Sequence, residues 1–389
     1  MTGCGLVKEP CRLFCKSSLL ITLIFSVFIF PHFSLHAQVA NQSRHYWFTL
    51  EKGKRLFREG AYGDALVAFQ DARNDRREMY SKMEHDLIML FSLREVRGMN
   101  DSLDRIEEYI AERGQVDAGA ALKELYYRVG KNTLNNSAQS ALDYLDRLKS
   151  YPEADYWIGE TYRLMGENEI ALRQFNETLS NSDRMENPGF TVEIRYKIAE
   201  IEHLRQRYNE MERQLQAILE RDALWQQDDN SFVREAMNRT IESSGVNRFL
   251  QMYRHKNVET ERAYRLLGEY FYVSGRHGRA VPHLIFAFII QNTTIIDEVI
   301  AERFDFTFTR LEDLMTAVAR RNDIKNYMKE TDYYKTTYYL AAALYATGKE
   351  NPARELWTFL AGRGDAGEWQ GRARTQLRSP FVETSQESP

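Results

Sequence analysis

Four stretches of this chain repeat one spacing of small and apolar residues, and that spacing restricts the possible folds more than any other feature. Gly53, Gly60, Ala65, Phe69 and Ala72 stand at relative positions 0, 7, 12, 16 and 19. Gly159, Gly166, Ala171, Phe175 and Thr178 keep these intervals, as do Gly268, Gly275, Ala280, Leu284 and Ala287. Ala341, Gly348, Ala353, Trp357 and Leu360 form the fourth copy. Apolar residues recur with a helical period on both sides of the second small residue in each. Two helices joined by a short turn cross closely only where a small side chain lies at the crossing. Gly268 is therefore expected to face Ala280, with Leu267, Phe271 and Leu284 filling the surrounding space. Gly275 is expected to end the first helix in a left-handed conformation. Pro282 and Pro352 fall near the start of a second helix, where a missing N–H costs least.

These residues resemble the tetratricopeptide repeat family, whose helix-turn-helix unit is about 34 residues long and carries small residues at its eighth and twentieth positions. The copy from Ala263 to Ala280 carries the resemblance best, and those at 46–73 and 153–179 follow. Looser copies lie at 124–148 (Gly130, Ala141), at 192–219 (Ala199, Tyr208, Met211, Leu215, without glycines) and at 80–110 (Gly98, Leu103, Ile110). Anchor residues recur at 38, 38, 30 and 40 residues from Ala65 through Leu103, Ala141 and Ala171 to Met211. The gaps to Ala280 and then Ala353, 69 and 73 residues, are each about two repeats long. The resemblance implies an all-α, right-handed superhelix of about nine antiparallel helix pairs across 38–377. The segment 180–191, with Asn187-Pro188-Gly189, lengthens one linker. The segment 291–310 is rich in Thr, Ile and Phe and is expected to loop over the array. The polar tail 378–389, with two prolines, is expected to be disordered.

The N-terminus has a separate character. Lys8, Arg12 and Lys16 precede the apolar run Leu19–Phe33, and Leu35 and Ala37 occupy the minus-three and minus-one places before Gln38. This is the layout of a signal peptide over 1–37, with a membrane anchor at 17–35 as the alternative. Cys4, Cys11 and Cys15 all lie in that segment, so the exported chain would hold no thiol. Three basic residues and one acid also lie there, leaving 49 basic and 55 acidic residues and a formal charge of −6. Mild acidity mixed along the sequence speaks against a nucleic-acid partner.

No phosphate-cradling glycine loop, His-Glu-x-x-His helix or Gly-x-Ser-x-Gly elbow is present, and His277 and His283, six apart, are off helical metal spacing. Neither an enzymatic role nor a cofactor is expected. Arg276-His277-Gly278-Arg279 reads as a polar turn. In the family, the second, fifth, ninth, twelfth and thirteenth positions of each first helix face the concave groove. Counting from the small residue at position eight, the resemblance implies partner-binding roles for Tyr127, Tyr156, Tyr196, Arg265 and Tyr338 at fifth positions, and for Tyr272 and Tyr345 at twelfth positions. Tyrosine combines a large rigid contact area with a polar tip. The family's Lys/Asn/Arg carboxylate clamp is absent. The expectation is a scaffold of the bacterial envelope, periplasmic or otherwise exported, that grips a partner protein or peptide. The alternative is an accessory protein that encloses a small ligand. Membrane contact is expected only if the N-terminal segment stays attached.

Overall fold

The computed structural model describes residues 45–92, 103–113, 121–123, 125–127, 138–185, 187–226 and 231–383. The expected signal or anchor segment lies outside them. Helices, with the turns and short segments between or beside them, make up the described residues, with no strand among them. The helices are α1 (Tyr46–Arg58), α2 (Tyr62–Ser92), α3 (Leu103–Arg113), α4 (Ala138–Leu148), α5 (Pro152–Leu164), α6 (Asn168–Ser180), α7 (Phe190–Leu204) and α8 (Tyr208–Leu219). They continue with α9 (Ala223–Gln226), α10 (Ser231–Met252), α11 (Val258–Val273), α12 (His277–Glu302), α13 (Leu311–Ala317), α14 (Asn322–Glu330), α15 (Tyr333–Ala346), α16 (Glu350–Ala361) and α17 (Glu368–Arg378).

Five helical hairpins follow from the recurring spacing: α1/α2, α5/α6, α7/α8, α11/α12 and α15/α16. In four of them the second glycine is left-handed, with φ of 79° at Gly60, 84° at Gly166, 75° at Gly275 and 82° at Gly348. Each closes its helix with the same pair of backbone hydrogen bonds. Gly275 N–H donates to Tyr272 at 2.9 Å and Arg276 N–H to Phe271 at 2.7 Å, a Schellman motif. The α7/α8 hairpin has no glycine, yet Arg207 N–H donates to Glu202 at 2.8 Å and Gln206 takes φ 58°. The same turn is thus made by a residue with a Cβ.

The first small residue does a different job from the one expected. A Cβ on Gly268 would stand 2.5 Å from Leu284 Cγ, and one on Gly159 would stand 2.7 Å from Phe175 Cε1. A Cβ on Gly53 would stand 2.5 Å from Phe69 Cε1. The partner of the glycine is therefore the large residue sixteen positions on, not the alanine at twelve. Phe69, Phe175, Leu284 and Trp357 are all fully buried at that place.

The hairpins pack in chain order. α2 lies directly against α5, α6 against α7, α8 against α11, and α12 against α15. α4 packs on α2. Arg76 of α2 anchors it: the buried Nε donates to the Leu148 carbonyl at 2.8 Å, and the guanidinium lies 4.5 Å from the Tyr151 ring centre. Two double-length gaps separate the later hairpins, and within the first the chain breaks at Gly245 and folds back, bringing Thr240 Oγ1 to 3.2 Å from Tyr253 Oη. The first holds α9 and α10, with α10 packed on α16 and α12; the second is filled by the rest of α12 and by α13 and α14.

Two local expectations are corrected. The first twelve residues of 291–310 are not a loop but the end of α12, whose Ile290, Gln291, Asn292, Thr293, Ile295 and Ile296 are buried. By length and apolar character α12 would suit a membrane, but most of its apolar stretch lies inside the protein. Helix propensity was outweighed by burial on all sides. The tail also differs: Arg378 ends α17, and Ser379–Glu383 folds back onto the helices, with Glu383 only 8% exposed. Residues 384–389 lie outside the described residues.

Candidate functional site

A cavity of about 670 Å³ opens between the α7/α8 hairpin, α11 and the start of α15. Its floor is apolar, made by Ala199 of α7, Met211 and Leu215 of α8, and Leu266 and Val273 of α11. Tyr208 and Tyr270 stack across it with ring centres 5.4 Å apart and 22° between planes. The Arg276 guanidinium lies 4.7 Å from the Tyr270 ring centre. Charged and polar groups edge the cavity: Glu200 and His203 from α7, Arg262 and Glu269 from α11, and Lys335 from α15. Lys335 and Glu269 pair at 2.8 Å.

Behind this wall lies an ionic cluster, buried at Arg265 and Glu261 and exposed at Asp332. Arg265 Nη1 donates to Asp332 at 2.8 Å and approaches Glu269 at 3.8 Å, while its Nε lies 3.6 Å from Glu261. Gln291 Nε2 donates to Glu261 at 2.7 Å and to the Thr331 carbonyl at 2.7 Å. Burial pushes the Glu261 carboxyl up to about 7, against the opposing pull of Arg265 and the Gln291 hydrogen bond. A second buried group stands at the start of α9. Asp222 accepts from His255 Nε2 at 2.7 Å, from Tyr264 Oη at 2.8 Å and from the Leu224 N–H at 3.0 Å. Burial disfavours its charge, but these donors prevail and hold the carboxyl below its ordinary value.

The seven residues expected to grip a partner do not form one strip. Tyr127 is 88% exposed. Tyr156 is buried against Phe190 at 5.0 Å and Trp157 at 5.3 Å, packing between helices. Burial raises its phenol, as it does that of Tyr196. Tyr196 borders the cavity, but its hydroxyl ties α7 to α11: it donates to the Glu259 carbonyl at 2.8 Å and accepts from the Ala263 N–H at 3.0 Å. Arg265 belongs to the ionic cluster. Tyr272, Tyr338 and Tyr345 meet the returning C-terminal segment. Tyr272 Oη accepts from the Glu383 N–H at 3.3 Å, Tyr338 Oη donates to the Glu383 carboxylate, and Tyr345 Oη donates to the Pro380 carbonyl at 3.4 Å. The turn 276–279 pairs inward too, since Arg276 and Arg279 both hold Glu212 of α8.

The cavity residues that sequence reasoning passed over are Arg262, Lys335, Tyr208, Tyr270 and Tyr339. Arg262 and Lys335 were within reach, because both occupy second positions when counted from Gly268 and Ala341. Tyr208, Tyr270 and Tyr339 fall outside that count and face the cavity through the way neighbouring hairpins are set. Among the described residues, no group of three His, Cys, Asp or Glu side chains could hold a metal ion.

No family model matches the chain. It is similar to an uncharacterized protein of Treponema pallidum (strain Nichols), 26% identical over 336 residues that cover 85% of this chain and 89% of the relative. It is also similar to an uncharacterized protein of Borreliella burgdorferi (strain ATCC 35210 / DSM 4680 / CIP 102532 / B31), 23% identical over 242 residues, 57% of this chain and 74% of the relative. No solved structure matches.

Proposed function

We propose that the chain is a non-catalytic scaffold of the tetratricopeptide type, exported to the bacterial envelope, that holds a segment of a partner protein against the face formed by α7, α11 and α15. The superhelical arrangement belongs to this proposal; its support is the repeated hairpin register and the stacking of five hairpins in chain order. The observation that carries the functional reading is the cavity. An apolar floor, a stacked tyrosine pair and a rim of both charge signs form the mixture by which a protein segment is anchored and oriented. The test uses the full exported chain, affinity-tagged and recovered from the envelope. Leu266→Glu places a charge on the cavity floor, and Tyr270→Ala removes half of the stacked pair. Partner capture is expected to fall at least about tenfold in each, equivalent to roughly 1.4 kcal/mol, with the circular-dichroism melt of Tyr270→Ala close to wild type. Undiminished capture by both folded variants would remove the cavity from the interface.

A second reading draws on the same volume. A cavity of about 670 Å³ falls in the size range of small-molecule pockets. A bound solute would appear in native mass spectrometry of the chain purified from its source as an added mass lost on denaturation. Partner capture without such a mass favours the scaffold.

A further inference from the structure

The cavity does not end the groove. Tyr339 lines it, and the Tyr339 ring lies 5.4 Å from Tyr272 and 5.8 Å from Tyr338, where the C-terminal segment is seated. Three residues of that segment, Pro380, Phe381 and Glu383, make a dense set of polar contacts. The Pro380 carbonyl accepts from Tyr345, and the Phe381 N–H donates to Gln376 Oε1 at 2.9 Å. The Glu383 N–H meets Tyr272, and the two Glu383 carboxylate oxygens take Tyr338 Oη and Arg372 Nη2, the latter at 2.6 Å. Arg372 is itself held flat between rings, 4.7 Å from the Tyr338 centre and 4.8 Å from Trp369. The side chains between these contacts are not engulfed: Phe381 and Val382 remain 41% and 39% exposed. The segment is thus held through its backbone and one buried carboxylate rather than by an apolar core.

We infer that Tyr272, Tyr338, Gln376 and Arg372 form a receptor site for an acidic side chain on an extended peptide, and that Glu383 of the chain's own C-terminal segment fills that site until a partner segment of the same chemistry displaces it. This rests on the scaffold reading and names the partner's chemistry at one end of the groove. Tyr338 and Arg372 supply one donor to each carboxylate oxygen, so the neutral isostere satisfies only one of them and leaves the guanidinium without a counter-charge. Tyr272 and Gln376 meet the segment only at its backbone N–H groups, which accepts any extended sequence, and Gln376 Nε2 also donates to Tyr338 Oη at 3.4 Å. A tethered segment competes at an effective concentration on the order of mM, so four residues with two half-exposed side chains suffice to occupy the site and still yield to a longer ligand.

The test measures binding of a fluorescent hexapeptide copying residues 379–384, blocked at both termini so that glutamate is its sole carboxylate, to the full exported chain. Glu383→Gln weakens the resident segment, and this variant is expected to bind the peptide at least tenfold more tightly than the wild type. Arg372→Gln in the same background should abolish binding; Tyr338→Phe should weaken it several-fold and serves as the check if Arg372→Gln does not fold. A peptide with glutamine in place of glutamate should bind at least tenfold more weakly, whether its C-terminus is blocked or free. Equal binding to wild type and Glu383→Gln, or no saturable binding to either, would overturn the inference. So would equal binding of the glutamine peptides; if only the free-ended one binds, the site takes a chain terminus instead. The hexapeptide reads this site alone, so a failure here is distinct from a failure of the cavity variants.

Discussion

Gln206 shows how much of a turn belongs to the backbone. Its φ of 58° lies in the left-handed region that glycine holds in the other four hairpins, and its side chain is exposed. A left-handed residue with a Cβ carries a penalty of roughly 1–2 kcal/mol, partly offset in a glycine variant by the freer unfolded chain. Gln206→Gly is accordingly expected to stabilise the protein by about 0.5–1 kcal/mol, read as a higher denaturant midpoint at constant slope; a lower midpoint would mean that the glutamine makes contacts worth more than the strain. Glu261 gives a pH-dependent counterpart. Its carboxyl titrates near 7 in the fold and near 4.5 when unfolded, so the native state binds the proton more tightly. That contribution is complete below about pH 4.5 and is lost as pH rises through 7. His283 works the other way, because burial lowers its imidazole to about 4 and its contribution fades as pH falls below 6.5. Comparing wild type with Glu261→Gln separates the two. Gln keeps an acceptor for Gln291, and the stability difference between the proteins should change by on the order of 1–3 kcal/mol between pH 5 and 7.5. A difference independent of pH would show that Glu261 stays ionised throughout.

Helices outside the five hairpins are tied to them by particular bonds. α10 breaks at Gly245, φ 78°, and restarts at once. The exposed donors of that restart are met by Glu355 of α16, which accepts from the Val246 N–H at 2.8 Å and the Asn247 N–H at 3.2 Å. Asn247 in turn accepts the Leu311 N–H at 2.7 Å, at the start of α13. One carboxylate therefore caps a helix more than a hundred residues away and, through Asn247, steadies a second. A side-chain cap contributes about 0.5–2 kcal/mol, and negative charge at a helix N-terminus adds a further few tenths. Glu355→Ala should cost about 1–3 kcal/mol and should speed hydrogen exchange at Val246, Asn247 and Leu311 more than in α5 or α6. Uniform acceleration across the chain would assign Glu355 a packing role instead.

At the scale of the whole molecule, five hairpins follow one another in chain order. The targeting expectation belongs to this scale as well, since export would remove every cysteine from the protein. The exported form is expected to begin at Gln38, with Ala37 as the last residue removed; N-terminal sequencing decides this. A chain recovered intact in the membrane fraction would make 17–35 an anchor.

The local pattern was enough to specify the hairpins. A left-handed glycine, a small residue at the crossing and a helical apolar period act within some thirty residues, so Gly60, Gly166, Gly275 and Gly348 could be placed from the sequence with their conformations. Two things depended on distant neighbours. The end of α12 is helical because burial on all sides outweighs the weak helix preference of Thr293, Thr294, Ile295 and Ile296. The tyrosines of the groove were legible as a residue type at a recurring position, but whether each hydroxyl meets solvent, a helix or the returning tail is set by what packs above it. Tyr196 meets the backbone of α11, and Tyr272 and Tyr338 meet Glu383, more than a hundred residues from Tyr272 in one case and 45 from Tyr338 in the other. A periodic pattern records which way a side chain points from its own helix; only the packed chain supplies the group that waits there.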